Sequence, residues 1–142
     1  MTIMKHLVSI LIFFSMTIYI QAQDEKEAIS KTLTDYIEGS TNGQPNRLKQ
    51  AFHPDLNLYY IRDGKVAVWA GTAYIADTNE GEPTGESGKI LSIDYENNAA
   101  VAKVEISHPK SSTPYIDYFM LLKEGEEWVI IHKMFTKKTS KS

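Results

Sequence analysis

Residues Tyr115 to Phe135 read YIDYFMLLKEGEEWVIIHKMF, two apolar, aromatic-rich runs on either side of the polar turn Glu124-Gly125-Glu126-Glu127. Such runs broken by a glycine-bearing turn predict a long antiparallel hairpin. The first run alternates Asp117, Phe119 and Leu121 against Ile116, Tyr118 and Met120. The second, Trp128 to Phe135, is apolar on both faces apart from His132 and Lys133. A strand covered on both faces lies inside a structure, with a polar side chain or two left pointing into it. The hairpin therefore sets the architecture and nominates a pocket.

Working back from the hairpin, His108 to Pro114 is a loop, and Lys89–Glu96 and Ala99–Ser107 are strands joined by the turn Asn97-Asn98. Leu56–Arg62 and Lys65–Ala70 alternate on either side of Asp63-Gly64, a strong two-residue hairpin turn. Asp24 to Glu38 places Ala28, Ile29, Leu33, Tyr36 and Ile37 at helical spacing, and Gly39 stops that helix. A shorter helix runs from Pro45 through Phe52 and ends before His53-Pro54, because proline disfavours helical geometry in the residue before it. Gly71–Asp77 reads as a third, short helix, followed by a glycine- and glutamate-rich loop from Asn79 to Gly88. Helices segregated from strands imply an α+β fold. The expected form is a strongly curved antiparallel sheet of about six strands wrapped around the N-terminal helix.

Residues 1–23 read as a secretion signal: Lys5, an apolar run from Leu7 to Ile20, and small-residue cleavage chemistry at Ile20-Gln21-Ala22. A retained anchor is the alternative, but the run is shorter than the roughly 17–25 residues needed to cross hydrocarbon. A charged segment, Asp24 to Glu27, also follows at once. The expectation is export to the periplasm of a bacterium, with no membrane anchor after cleavage. Residues 24–136 then form one domain, and the basic end 137–142 is a frayed tail. The chain contains no cysteine, which excludes disulfides and a lipid-modified lipoprotein terminus. Without the signal, 14 Lys and Arg face 18 Asp and Glu, a formal charge of −4. No basic stripe precedes the tail, so nucleic acid is not an expected partner.

Six stretches together resemble the nuclear transport factor 2-like superfamily, a cystatin-like cone, and within it the secreted bacterial branch named "putative lumazine-binding". They are TLTDYIEG (Thr32 to Gly39), RLKQAFHPD (Arg47 to Asp55), the Asp63-Gly64 turn, NNAAVAKVE (Asn97 to Glu105), IDYFMLLK (Ile116 to Lys123) and EWVIIHKMF (Glu127 to Phe135). The resemblance implies a curved sheet closing over the first helix and leaving a hollow with one open mouth. Cone-fold enzymes such as ketosteroid isomerase and scytalone dehydratase run proton transfers from an Asp, His or Tyr held in an apolar cavity. The question it poses here is which polar groups point inward.

Asp117 and His132 are the candidate catalytic bases. Asp117 shares a face with Phe119 and Leu121, and is either a cavity base or a carboxylate held by a loop amide or by Lys133. By strict alternation His132 shares a face with Trp128, Ile130 and Met134, and is either a cavity base or an interior histidine bonded to backbone. Tyr118 points away from Asp117, so the two cannot enter one cavity from a regular strand. Tyr36 and Asp35 lie on the first helix. Tyr36, His53, Tyr60, Trp69, Tyr74, Phe119 and Trp128 are candidate ligand-binding residues, their rings suited to stacking on a flat molecule. His53 is alternatively a cap on the helix before it. The histidines His53, His108 and His132 are scattered and no carboxylate stands at metal-ligand spacing, so no metal is expected, and no cofactor is implied.

The leading reading is a secreted cone-fold protein that binds a small apolar or aromatic molecule, dimerising through the outer face of its sheet. Two alternatives stand beside it. One is a cofactor-independent isomerase, dehydratase or hydrolase using Asp117 or His132 as base. The other is a non-catalytic scaffold whose cone is packed solid.

Overall fold

The first helix buries one stripe, Ile29, Leu33 and Tyr36, and the rest of the molecule is arranged over that stripe. The structure is a computed structural model that describes residues 24–139. The secretion signal read over residues 1–23 lies outside the described residues. Helix α1 spans residues 24–41. It is followed by α2 (Pro45–Ala51), β1 (Phe52–Arg62), β2 (Lys65–Ala70), α3 (Gly71–Ala76), β3 (Ser87–Glu96), β4 (Ala99–Ser107), β5 (Tyr115–Glu124) and β6 (Glu127–Lys137). The strands form one six-stranded curved sheet in the order β2-β1-β6-β5-β4-β3. β6 therefore lies inside the sheet with a neighbour on each edge, but only its inner face is covered: Val129, Ile131 and His132 are half-buried on the other side and Met134 is exposed.

Four of the strand pairs are antiparallel hairpin partners, but β1 and β6 run parallel. The alternation of each strand shows which face is buried but not which way a distant partner runs. The Asp63-Gly64 turn forms as expected, with φ of 52° and 73°, the paired positive values that a tight hairpin demands. β1 begins at Phe52, well before the alternation starting at Leu56. Its register on β6 jumps from Phe52↔Ile130 to Asn57↔His132, and Pro54 stands in that unpaired stretch, where a missing N–H breaks no ladder bond.

Bulges bend the sheet. On β6, Leu121 opposes Ile130 and Met120 opposes His132, leaving Ile131 as an extra residue. On β3, Leu91 is skipped in the same way between Ile90 and Ser92. The curl brings β3 onto α1 so closely that a Cβ on Gly88 would lie 2.5 Å from Ile37 Cγ2.

The inner face supplies the core: Leu56 and Leu58, Ala100, Ala102 and Val104, Phe119 and Leu121, and Trp128 and Ile130 are all buried. Each fully buried aliphatic side chain contributes about 1.5–3 kcal/mol through removal from water. The outer face keeps large apolar side chains in the open, among them Val101, Tyr118, Met120, Leu122 and Met134. β6 runs to Lys137, and the Lys138 amide donates to the Pro114 carbonyl at 2.8 Å, so the first residues of the tail read as frayed are held.

Candidate functional site

Three polar side chains from three elements meet inside the cone. Asp117 enters from β5, where regular alternation places it with Phe119 and Leu121 on the buried face. Tyr36 descends from α1 on the stripe of Ile29 and Leu33. Lys133 enters from β6, because the extra residue at Ile131 turns it inward. Tyr36 Oη donates to Asp117 Oδ2 at 2.6 Å. Lys133 Nζ donates to Tyr36 Oη at 2.5 Å and lies 3.0 Å from Asp117 Oδ2. The Lys133 and Asp117 side chains are 6% and 3% exposed.

Rings enclose the ammonium. Its nitrogen lies 4.6 Å from the Tyr36 centroid, 5.3 Å from Tyr74 and from Phe135, and 5.9 Å from Phe119. The faces of such rings attract a cation, most strongly where water is excluded. Beyond the cage, Phe135 stacks on Tyr60 at 4.8 Å and meets Tyr115 edge-on at 6.3 Å. Trp69 packs edge-to-face on Tyr74 at 5.1 Å. Tyr60, Tyr115, Phe135 and Lys137 also line a cleft of about 690 Å³ at the rim of the sheet. The outer-face side chains Tyr59, Ile61 and Met134 line the same cleft, and Phe135, 5.3 Å from the Lys133 nitrogen, is the residue the cleft and the cage share.

Burial, reinforced by Tyr74 and Asp117 alongside, pushes the Tyr36 phenol well above its ordinary value of 10.0. It therefore stays protonated and acts as a donor across the physiological range. The group comprises one carboxylate, one neutral phenol and one primary amine at mutual hydrogen-bond distance in an apolar shell. Such a set can hold a polar ligand atom or move a proton. Among the described residues no cluster of three His, Cys, Asp or Glu side chains is placed to hold a metal ion.

A family model described as "Putative lumazine-binding" matches residues 24–136. The chain belongs to that family. It is similar to the aldolase FrzH of Cladobotryum sp, 27% identical over 113 residues that cover 78% of this chain and 90% of the relative. Its fold is that of a nuclear transport factor 2-like protein of unknown function from Shewanella baltica OS155. That likeness has a TM-score of 0.70 at 23% identity, over 82% of this chain and 96% of the other. A cystatin-like domain from Nostoc punctiforme matches with a TM-score of 0.61 at 15% identity, over 81% and 78% of the two chains. The family member described here is therefore a nuclear transport factor 2-like cone, as the six stretches of sequence implied.

Against the sequence expectations, Asp117, Tyr36, Phe119 and Tyr74 come together in the triad and its cage. Trp69 and Tyr60 adjoin it through Tyr74 and Phe135. The other candidates do not join them. His132 is turned to the outer face by the bulge, opposite Met120, with its ring edge-on to Tyr59 at 5.2 Å. It is therefore not a base inside the cone, and strict alternation failed at Ile131. His132 lies instead in an outer depression of about 490 Å³ with Tyr118, Met120 and Met134, its Nδ1 buried without a hydrogen-bond partner. Trp128 is core at the far end of β6, its indole N–H donating to Glu25 Oε2 at 2.8 Å. His53 is half-buried on β1 and accepts the Asp55 amide at Nδ1, 3.2 Å away, rather than capping α2. Asp35 pairs with Arg47 at 2.8 Å, on the outside of α1. The sequence singles out Lys133 as a polar residue in the apolar run and as a partner for Asp117, but does not mark it or Phe135 as a site residue.

Proposed function

We propose that this protein binds a small aromatic or otherwise apolar molecule in its cone. The molecule would enter over Tyr60, Tyr115 and Phe135, with Lys133, Tyr36 and Asp117 as the polar anchor below. One observation carries the reading: a charged pair and a phenol held in a ring-lined interior. Such groups contribute little net stability there, since replacing a buried ion pair with apolar residues is often neutral or stabilising. A cone packed only as a scaffold has no need of them. The family description adds a flat heteroaromatic as the ligand class, which suits stacking between rings. Titration with lumazine, followed by tryptophan fluorescence, should give saturable 1:1 binding that weakens at least tenfold in Tyr36→Phe. A flat titration, or equal binding by both proteins, would overturn the anchor.

The proposed protein is exported and dimeric. Export rests on Lys5 and the apolar run Leu7 to Ile20, and an N-terminus beginning near Gln23 in protein from its own host would bear it out. The dimer rests on the outer face, where Val101, Tyr118, Met120, Leu122 and Met134 form a contiguous apolar surface suited to a second copy.

A second reading is an enzyme that acts on a carbonyl compound without a cofactor, with Asp117 as base and Tyr36 as donor to the developing oxyanion. The carboxylate–phenol contact of 2.6 Å favours it, as does similarity to a protein named an aldolase. Of the two bases read from the sequence, it retains Asp117 alone.

A further inference from the structure

We infer that Lys133 Nζ is a nucleophile that forms an iminium with the aldehyde or ketone group of a small aromatic or apolar carbonyl compound. The inference rests on the reading of the cone as a ligand site, and adds to it the chemistry of the ligand. Three observations lead there. The amine is a primary amine, the only type of side chain that condenses with carbonyls in this way, and it is buried among rings rather than solvated. A proton acceptor, Asp117 Oδ2, lies 3.0 Å from it. A phenol that stays protonated joins the two, within hydrogen-bond reach of both.

The steps balance on these groups alone. The ammonium passes a proton to Asp117 Oδ2, and the freed lone pair attacks the carbonyl carbon, forming the C–N bond. The carbonyl oxygen takes the Tyr36 proton while Asp117 returns its proton to the Tyr36 oxygen. The nitrogen, now positive, gives a second proton to Asp117, leaving a neutral carbinolamine. That proton travels the same way to the carbinolamine oxygen, which departs as water as the nitrogen lone pair closes the C=N bond. Two hydrogens of the original ammonium leave in the water, and the iminium keeps the third. No oxidant or reductant is consumed.

The product suits the site that made it. An iminium carries the same single positive charge as the ammonium it replaces. Asp117 remains its counter-ion, and the faces of Tyr36, Tyr74, Phe119 and Phe135 remain around the cation. The interior therefore holds one cation before and after condensation, with no newly unpaired buried charge. Phe135 touches both the rim cleft and the ammonium, so the proposed approach of a carbonyl compound runs past this ring, with its neighbours Tyr60 and Tyr115 as a stacking platform.

The test uses the whole wild-type protein with benzaldehyde and cinnamaldehyde in turn, with cyanoborohydride to reduce any imine. Peptide mapping then locates the adduct, a mass gain equal to the aldehyde less one oxygen. Lys133 should be labelled at least about tenfold faster than the exposed Lys65 and Lys110, which lie outside the cleft. Tyr36→Phe, which breaks the proton path, should slow labelling at Lys133 and leave the exposed lysines unchanged. Labelling confined to exposed lysines would overturn the proposal. Tryptophan quenching by the same aldehydes without reductant separates the two readings. Saturable quenching without adduct at Lys133 leaves the ligand site standing and removes the imine. Neither signal removes both.

Discussion

Replacing Lys133 with methionine keeps the length and apolar stem of the side chain and deletes its charge. Asp117 then keeps a buried carboxylate with only the Tyr36 hydroxyl, at 2.6 Å, as partner. Breaking a buried pair by removing one member costs about 3–5 kcal/mol, because the remaining charge is uncompensated. For a domain of this size, with a urea dependence of roughly 1.5–2 kcal/mol per molar, the midpoint should fall by about 2 M. The double variant Lys133→Met, Asp117→Leu removes both charges together, with Tyr74 still alongside the Tyr36 phenol. It should recover most of the loss and can exceed the wild type, as apolar replacements of buried pairs often do. Urea unfolding followed by the fluorescence of Trp69 and Trp128 measures both. A single variant that loses less than about 1 kcal/mol, or a double variant whose loss is the sum of the two single losses, would refute the reasoning.

Tyr36 is held well above its ordinary value of 10.0, so its proton stays on in the folded chain after the unfolded chain has lost it. Its contribution is complete below pH 10 and is lost above it, by about 1.4 kcal/mol per pH unit, and Tyr36→Phe should flatten that alkaline limb of the stability curve. Glu25 is shifted the other way, below 4.5, by hydrogen bonds from Lys123 and Trp128. The stability it adds is present above pH 4.5 and is lost as pH falls through the lowered value, so Glu25→Gln should make acid unfolding shallower in that window. At the outer face, Met120→Glu places a charge among Tyr118, Leu122 and Met134. It should convert a dimer to a monomer in light scattering at micromolar concentration, with the fold preserved by circular dichroism.

The strands were legible because each half-buried run alternates, and the turns because Asp63-Gly64 and Gly125 carry their backbone requirements in their residue types. Asp117 could be placed correctly because β5 is regular from end to end. β6 defeated the same counting. Nothing in VIIHKMF marks Ile131 as the residue left without an opposite number, yet that one insertion exchanges His132 for Lys133 and Met134 for Phe135 on the inner face. The parallel pairing of β1 with β6 was equally invisible, since it depends on packing between strands at opposite ends of the domain. The triad itself joins α1, β5 and β6, and a contact between Tyr36 and Lys133 across 97 residues has no local signature. The sequence does mark His132 and Lys133 as the two polar residues of an otherwise apolar run, but which of them points inward is decided by the bulge at Ile131.

The most direct measurement is native mass spectrometry of the protein purified from its own host. A cone built to hold a molecule on Lys133, Tyr36 and Asp117 should carry a small non-protein mass. That mass should be absent from the folded double variant Lys133→Met, Asp117→Leu. A wild-type protein with the bare chain mass in every preparation would contradict the account, as would an adduct retained in full by the variant.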